Sequence, residues 1–275
     1  MNRPQIWTNC DEDIRQFIER LIDRLASVLG TQLVGVYLHG SLAIGSYYRS
    51  KSDIDLIVVV AHPLEYTAAE RVGLLIANEA FSRPTTGNVE LSVITAKAAK
   101  QAQMFTPFEV HYSSDWHEKV INHHIDYTIE QTDSDLVSHL TYVVQRGICL
   151  HGASIQNVFG KVEWHLFMDS VLDDLAWILE NEHILEAPFY GVLNICRVLQ
   201  LLHVKTETVH SKDEGGEWGL KHLPQDYHPL IRQALHVYRS SEKVNEDKIK
   251  SGGVKWNQTA LRTLRDYARL KIDEQ

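Results

Sequence analysis

The chain has 275 residues, 44% of them hydrophobic and 23% charged, with a formal net charge of −9. That length suits one large domain or two modest ones of ordinary globular composition. The acidic balance argues against a broad nucleic-acid footprint and favours a cationic partner. No apolar run approaches membrane-span length, and Met1-Asn2-Arg3-Pro4-Gln5 lacks a signal-peptide core. Cys10, Cys149 and Cys196 are scattered and odd in number. They make neither a metal motif nor a disulfide framework, and they point to a reducing, cytoplasmic setting.

Between Asp11 and Leu29 the apolar residues Ile14, Phe17, Ile18, Leu21, Ile22, Leu25 and Val28 recur at helical spacing, and Gly30 is a suitable stop. Leu33 to Leu38 reads as a buried strand running into Gly40-Ser41. A polar connection, Arg49 to Ser52, leads to Asp53-Ile54-Asp55 and the apolar run that follows. A helix is predicted from about Thr67 to Phe81, broken by Arg83-Pro84-Thr85-Thr86-Gly87. The strand Asn88 to Ile94 carries Glu90 among apolar neighbours, and Val110-His111-Tyr112 adds an edge strand. Beyond about Ser134 the pattern is almost wholly helical, with segments at Leu136–Val144, Lys161–Leu179, Ala187–Val204, Gln225–Tyr238 and Val254–Ile272. Gly152 and Gly160 punctuate the change of regime, and the expected division is 1–158 and 159–275.

The chemistry concentrates in the first half. On a strand, residues i and i+2 share a face, so Asp53 and Asp55 present two carboxylates side by side while Ile54 and Leu56 face the core. Two like charges so close repel unless a divalent cation lies between them. A Gly40-Ser41 turn offers backbone N–H groups and a hydroxyl, which suit a phosphate. A lone D-x-D is common by chance; a strand, a Gly-Ser turn, a short connection and a D-x-D strand in succession are not. His123-His124 reads as surface.

The segment resembles the signature of the DNA polymerase β-like nucleotidyltransferase superfamily, in which G-S is followed by D-x-D and a later strand adds a third carboxylate, here Glu90. A glutamate in that place is typical of the aminoglycoside 3''/9-adenylyltransferases, and the likeness extends along nearly the whole chain. Asp133-Ser134-Asp135-Leu136 resembles the opening of the family's linker helix, and Leu193-Asn194-Ile195-Cys196-Arg197 its L-x-x-x-R helix. Ser211-Lys212-Asp213-Glu214-Gly215-Gly216-Glu217-Trp218 resembles its K-D-x-x-x-x-W motif.

The resemblance implies an α/β (α+β) nucleotidyltransferase domain with a mixed sheet, followed by an all-α helical bundle. It implies Mg²⁺-dependent transfer of AMP from ATP, the co-substrate, to a hydroxyl of a small cationic antibiotic, with two ions bound and pyrophosphate released. Asp53 and Asp55 would hold the metal, and Glu90 would complete the metal site or take the proton from the attacking hydroxyl. Gly40, Ser41 and Ser52 would lie at the triphosphate. Lys212 matches a lysine that reaches the ATP phosphates, Tyr238 a tyrosine near the nucleotide, and Asp135 an aspartate at the domain junction. Trp116 matches a tryptophan of the drug pocket. A monomer is implied.

The sequence departs from its relatives where they carry an acidic G-D-E-R-N turn that helps hold streptomycin. Here the stretch is Glu186-Ala187-Pro188-Phe189-Tyr190-Gly191, with Glu182 and Glu186 as the acidic side chains nearby. Spectinomycin is therefore expected ahead of streptomycin. Two other readings remain: a nucleotidyltransferase acting on a protein side chain or a housekeeping metabolite, and a degenerate nucleotide-binding regulator. Glu90 tells against the regulator, because a dead site usually lacks the third carboxylate.

Overall fold

The apolar runs of the first half pair into one mixed sheet. In the computed structural model, which describes residues 3–241 and 251–274, β1 (Leu33–His39), β2 (Ile54–Val60) and β3 (Val89–Thr95) lie side by side. The short strands β5 (Val110–Tyr112) and β7 (Ile148–Gly152) flank them, in the order β5-β3-β2-β1-β7. β1 is antiparallel to β2 and β7, β2 is parallel to β3, and β3 is antiparallel to β5. A separate ribbon pairs β4 (Thr106–Phe108) with β6 (Gln131–Asp133).

Both faces of the sheet are buried, which is why its strands are apolar without alternation. One face (Val36, Leu38, Ile54, Leu56, Val58, Leu91, Val93) packs with α1 (Glu12–Leu29) and α3 (Tyr66–Phe81). Ile14, Phe17, Ile18, Leu21, Ile22 and Leu25 of α1 are all buried, as their spacing predicts. Each such side chain contributes about 1.5–3 kcal/mol. Gly30 ends the helix with φ +52° and donates its N–H to the Ala26 carbonyl. The buried Glu79 of α3 is clamped by Arg20 and Arg24 of α1, which fixes the two helices to each other. On the other face, Tyr37, Ile57, Val59 and Ile94 pack with Ala98 and Ala99 of α4 (Ala96–Lys100). They also meet Leu136, Leu140 and Val143 of α6 (Leu136–Arg146).

Two features differ from the sequence expectation. Gly40-Ser41 opens a short helix, α2 (Gly40–Ile44), instead of a simple turn. Gly40 at φ +62° swings the chain off β1, and Gly45 at φ +84° stops the helix after little more than one turn. β7 comes from residues in which the sequence shows only a connection; its side chains are half-buried or exposed, so no hydrophobic pattern marks it. Small helices, α5 (His117–Ile121) and α7 (Ile155–Val158), complete this unit.

The chain divides into two compact units, the first spanning residues 5–167 and the division falling within α8 (Trp164–Leu179). The second unit is helical: α9 (His183–Glu186), α10 (Pro188–His203), α11 (Lys212–His222), α12 (His228–Tyr238) and α13 (Gln258–Asp273). α10 is buried on nearly every side, from Phe189 through Leu201, and forms the axis of the bundle. α11 packs closely on it because it carries glycine where the helices meet. A Cβ at Gly215 would come within 2.7 Å of the Arg197 backbone, and one at Gly219 within 2.8 Å of Cys196 Sγ. Among the described residues no helix is long and apolar enough to cross a membrane.

Candidate active site

Strand register builds the site. Asp55 of β2 pairs laterally with Glu90 of the parallel strand β3 and with His39 of β1. Paired residues point to the same side of a sheet. His39, Asp55 and Glu90 therefore form a row across three strands, at the end of the face that α6 covers. Asp53 lies just before β2, two residues back from Asp55. The side chains of Ile54, between them, and Leu56, just after, are fully buried on the opposite face.

A backbone contact fixes Asp53, and a missing side chain makes room for Asp55. Asp53 Oδ1 accepts the Asn88 N–H at 2.6 Å. Gly87 makes that contact possible, since a Cβ there would lie 1.9 Å from the Ser52 carbonyl oxygen. The 83–88 loop is held in place by Arg83 Nε donating to Gly87 O at 2.8 Å and by Arg49 donating to Pro84 O at 2.7 Å, while Arg49 also grips Asp11 and Asp13 of α1 and its approach. Gly40 does the same for Asp55: a Cβ on it would fall 1.8 Å from Asp55 Oδ2. Gly87→Ala should therefore displace Asp53 and lower turnover by at least ~10-fold, as small misplacements of catalytic groups do. Steady-state kinetics on the folded variant provide the check.

The first N–H groups of α2 have no partner within that helix, and His39 gives no side-chain cap. Gly40, the first residue of α2, lies against Asp55, and Ser41 beside it is half-buried. Ser52 sits differently. It is buried, and its Oγ accepts the Tyr48 N–H at 3.0 Å, so it shapes the turn leading to Asp53.

The third carboxylate has company that the sequence did not announce. His139 Nε2 of α6 lies 4.0 Å from Glu90 Oε1, and its ring centroid is 4.9 Å from that of His39. His111 of β5 shares a 3.0 Å hydrogen bond through Nδ1 with Ser92 Oγ, two residues along β3 from Glu90. Trp116 packs edge-on against His111 at 5.1 Å and against Phe108 at 6.0 Å, which brings the predicted pocket tryptophan to the Glu90 side of the sheet. Asp135 precedes α6 and donates its N–H to Asp133 Oδ1 at 2.8 Å.

Electrostatics separates the three imidazoles. Burial pulls His39 well below its usual pKa, with neighbouring His139 adding to the effect. Burial also lowers His111, only partly offset by Glu90 and Asp133. For His139, burial alone would act downward, but the carboxylates of Glu90, Asp55, Asp135 and Asp133 outweigh it and raise its pKa. An acidic pocket of this kind attracts cations.

Among the described residues no group of three or more His, Cys, Asp and Glu side chains is placed to hold an ion unaided. Mg²⁺ takes hard oxygen donors and binds through one or two carboxylates plus substrate phosphates and waters. Asp55 and Glu90, lateral neighbours in the sheet, present carboxylate oxygens of that kind.

In the helical unit, Lys212 opens α11. Ser211 caps this helix reciprocally with Glu214: Ser211 Oγ accepts the Glu214 N–H at 3.0 Å, and Ser211 N–H donates to Glu214 Oε2 at 2.7 Å. The Lys212 ammonium lies 4.5 Å from the Tyr190 ring centroid. Tyr238, buried at the end of α12, is drawn to the same end of the bundle by the 2.7 Å ion pair between its neighbour Arg239 and Asp213. Glu182, half-exposed, is paired with Arg262 at 2.6 Å and Arg265 at 3.4 Å.

Residues 14–131, which carry the mixed sheet and its carboxylate row, match the nucleotidyltransferase domain family. Residues 157–260 match the aminoglycoside adenylyltransferase C-terminal domain. The chain belongs to the aminoglycoside adenylyltransferase-like enzymes of the nucleotidyltransferase superfamily. It is 26% identical over 215 residues to spectinomycin 9-adenylyltransferase of Staphylococcus aureus, strains Mu50 and N315, covering 77% of this chain and 80% of that protein. Its fold is that of spectinomycin adenyltransferase AAD(9) from Enterococcus faecialis, solved with ATP and spectinomycin. The TM-score is 0.74 at 18% identity, over 94% of this chain and 99% of that one.

Proposed function

We propose that the protein transfers AMP from ATP to a hydroxyl of an aminoglycoside-type antibiotic, spectinomycin first and streptomycin second, and releases pyrophosphate. The observation that carries this reading is the register that places Asp55 beside Glu90, with Asp53 held next to them. The Staphylococcus aureus relatives' activity on spectinomycin supports the choice of acceptor. The acidic turn expected to hold streptomycin is absent from the Glu186–Gly191 stretch, which puts spectinomycin first.

Asp53 and Asp55 would hold Mg²⁺, with Glu90 beside them as the base. When bound, the ion neutralises charge on the α-phosphate and the leaving pyrophosphate. The N–H groups at the start of α2, from Gly40 and Ser41, face the triphosphate. Glu90 takes the proton of the acceptor hydroxyl as the new oxygen–phosphorus bond forms and the bond to the bridging oxygen breaks. Trp116 lines the acceptor side, and the acidic surroundings of Glu90 favour a cationic drug. Asp135 contributes to that acidity. Lys212 binds the ATP phosphates, and Tyr238 lies near the nucleotide.

Incubation with α-labelled ATP, Mg²⁺ and a panel including spectinomycin and streptomycin tests the reading. AMP on spectinomycin is the expected result. Label on protein or a metabolite instead would redirect the enzyme to another acceptor, and no transfer at all would overturn the proposal. Lys212→Ala should weaken ATP binding by roughly 1.5–3 kcal/mol, the size of a charge-assisted contact. Calorimetric titration measures that loss; unchanged affinity would remove Lys212 from the nucleotide site.

A further inference from the structure

Glu90 stands at the end of β3 with its side chain 37% exposed, and a glutamate so placed has several rotamers open to it. A general base must hold one of them within reach of the acceptor hydroxyl. What flanks Glu90 is therefore part of how it works. His111, on one side, commits Nδ1 to Ser92 and its ring edge to Trp116. His139, on the other, turns Nε2 toward Glu90 Oε1 from α6. The backbone beneath it is rigid, since Leu136, Leu140 and Val143 are fully buried. His39, buried and in register with Asp55, lies against the His139 ring at 4.9 Å and limits its swing away from Glu90.

We propose that His139 is a positioning residue for Glu90: its Nε2–H is directed at Oε1, which leaves the second carboxylate oxygen to receive the acceptor proton. The proposal rests on the adenylyltransferase reading above. The 4.0 Å separation is longer than a hydrogen bond, as is common for catalytic contacts before substrate is bound. A neutral imidazole protonated on Nε2 serves as well as an imidazolium, so the arrangement does not depend on the charge of His139. Asp135, four residues before His139, adds a negative charge beside the imidazole.

The test uses the full chain with His139→Leu and His139→Gln. With ATP and spectinomycin, His139→Leu should lower kcat about tenfold with KM for ATP and the Mg²⁺ requirement within about twofold, the pattern of a group that acts on the transition state alone. His139→Gln keeps an N–H donor and should recover a substantial part of the loss. If the leucine variant fails to unfold cooperatively, His139→Met takes its place in the same comparison. Equal rates for the apolar and glutamine variants, a kcat within about twofold of wild type, or a shifted Mg²⁺ requirement would each overturn the proposal. A second readout needs no acceptor. In ¹⁵N-histidine-labelled protein, His139 should carry its proton on Nε2, and that signal should move in Glu90→Gln. A bare Nε2, or a signal indifferent to Glu90→Gln, would overturn the proposal as well. Failure of wild type to modify any drug would instead count against the acceptor assignment and leave the spectroscopic result to decide on His139.

Discussion

Replacing Asp53 and Asp55 together by asparagine should abolish AMP transfer and leave the fold intact. Neither carboxylate holds the core: Asp55 is only half-buried, and the neighbours that pack, Ile54 and Leu56, point the other way. Asparagine at 53 keeps an oxygen that can accept the Asn88 N–H, so the 83–88 loop retains its anchor. Removing two adjacent like charges relieves repulsion, and the unfolding midpoint should stay level or rise slightly. Turnover should nevertheless fall by more than ~10³-fold, because the electrostatic stabilisation of the transferring phosphoryl group is lost. Chelation should silence the wild-type enzyme, and Mg²⁺ or Mn²⁺ should restore it. Turnover within tenfold of wild type in the double variant would rule out the metal role of this pair.

The parts of this site that the sequence displayed are those whose spacing carries a period. The row of Asp55 and Glu90 was legible because each sits in an apolar strand at a position where a charge has no structural purpose. α1 was legible because seven apolar residues repeat at helical intervals. The family motif in the second half also held a physical message: Gly215 and Gly219 are there because α11 lies almost backbone to backbone on α10. What stayed hidden lacks any such period. The hold on Asp53 comes from a backbone N–H at Asn88 and a missing side chain at Gly87, and neither group has a sequence signature of its own. β7 forms through pairing with β1 alone, and β4 and β6 through pairing with each other. His39 and His139 meet across a hundred positions, so only the fold of α6 over β1 unites them. The interval from Asp135 to His139 was the one local clue, a single helical turn following a motif acid.

Glu90→Gln is expected to stop the reaction while sparing ATP. Glutamine keeps the shape of the side chain and its place beside Asp55, and it can still accept from His139 Nε2. It cannot take a proton. A sugar hydroxyl is a poor nucleophile at neutral pH, and a positioned base contributes ~10²–10⁴-fold to such a step. The variant should lose activity on at least that scale, with ATP affinity within a few-fold of wild type, since Asp53, Asp55 and the N–H groups of α2 remain. Loss of a metal contact would give a different pattern. If Glu90 acts chiefly as an ion ligand, raising Mg²⁺ should rescue part of the turnover of Glu90→Gln and ATP binding should weaken with it. A base function predicts neither effect. Rates measured across a range of Mg²⁺ concentrations, with ATP affinity determined separately, therefore distinguish the two roles of this carboxylate, and near-wild-type turnover at saturating Mg²⁺ would exclude Glu90 as the base.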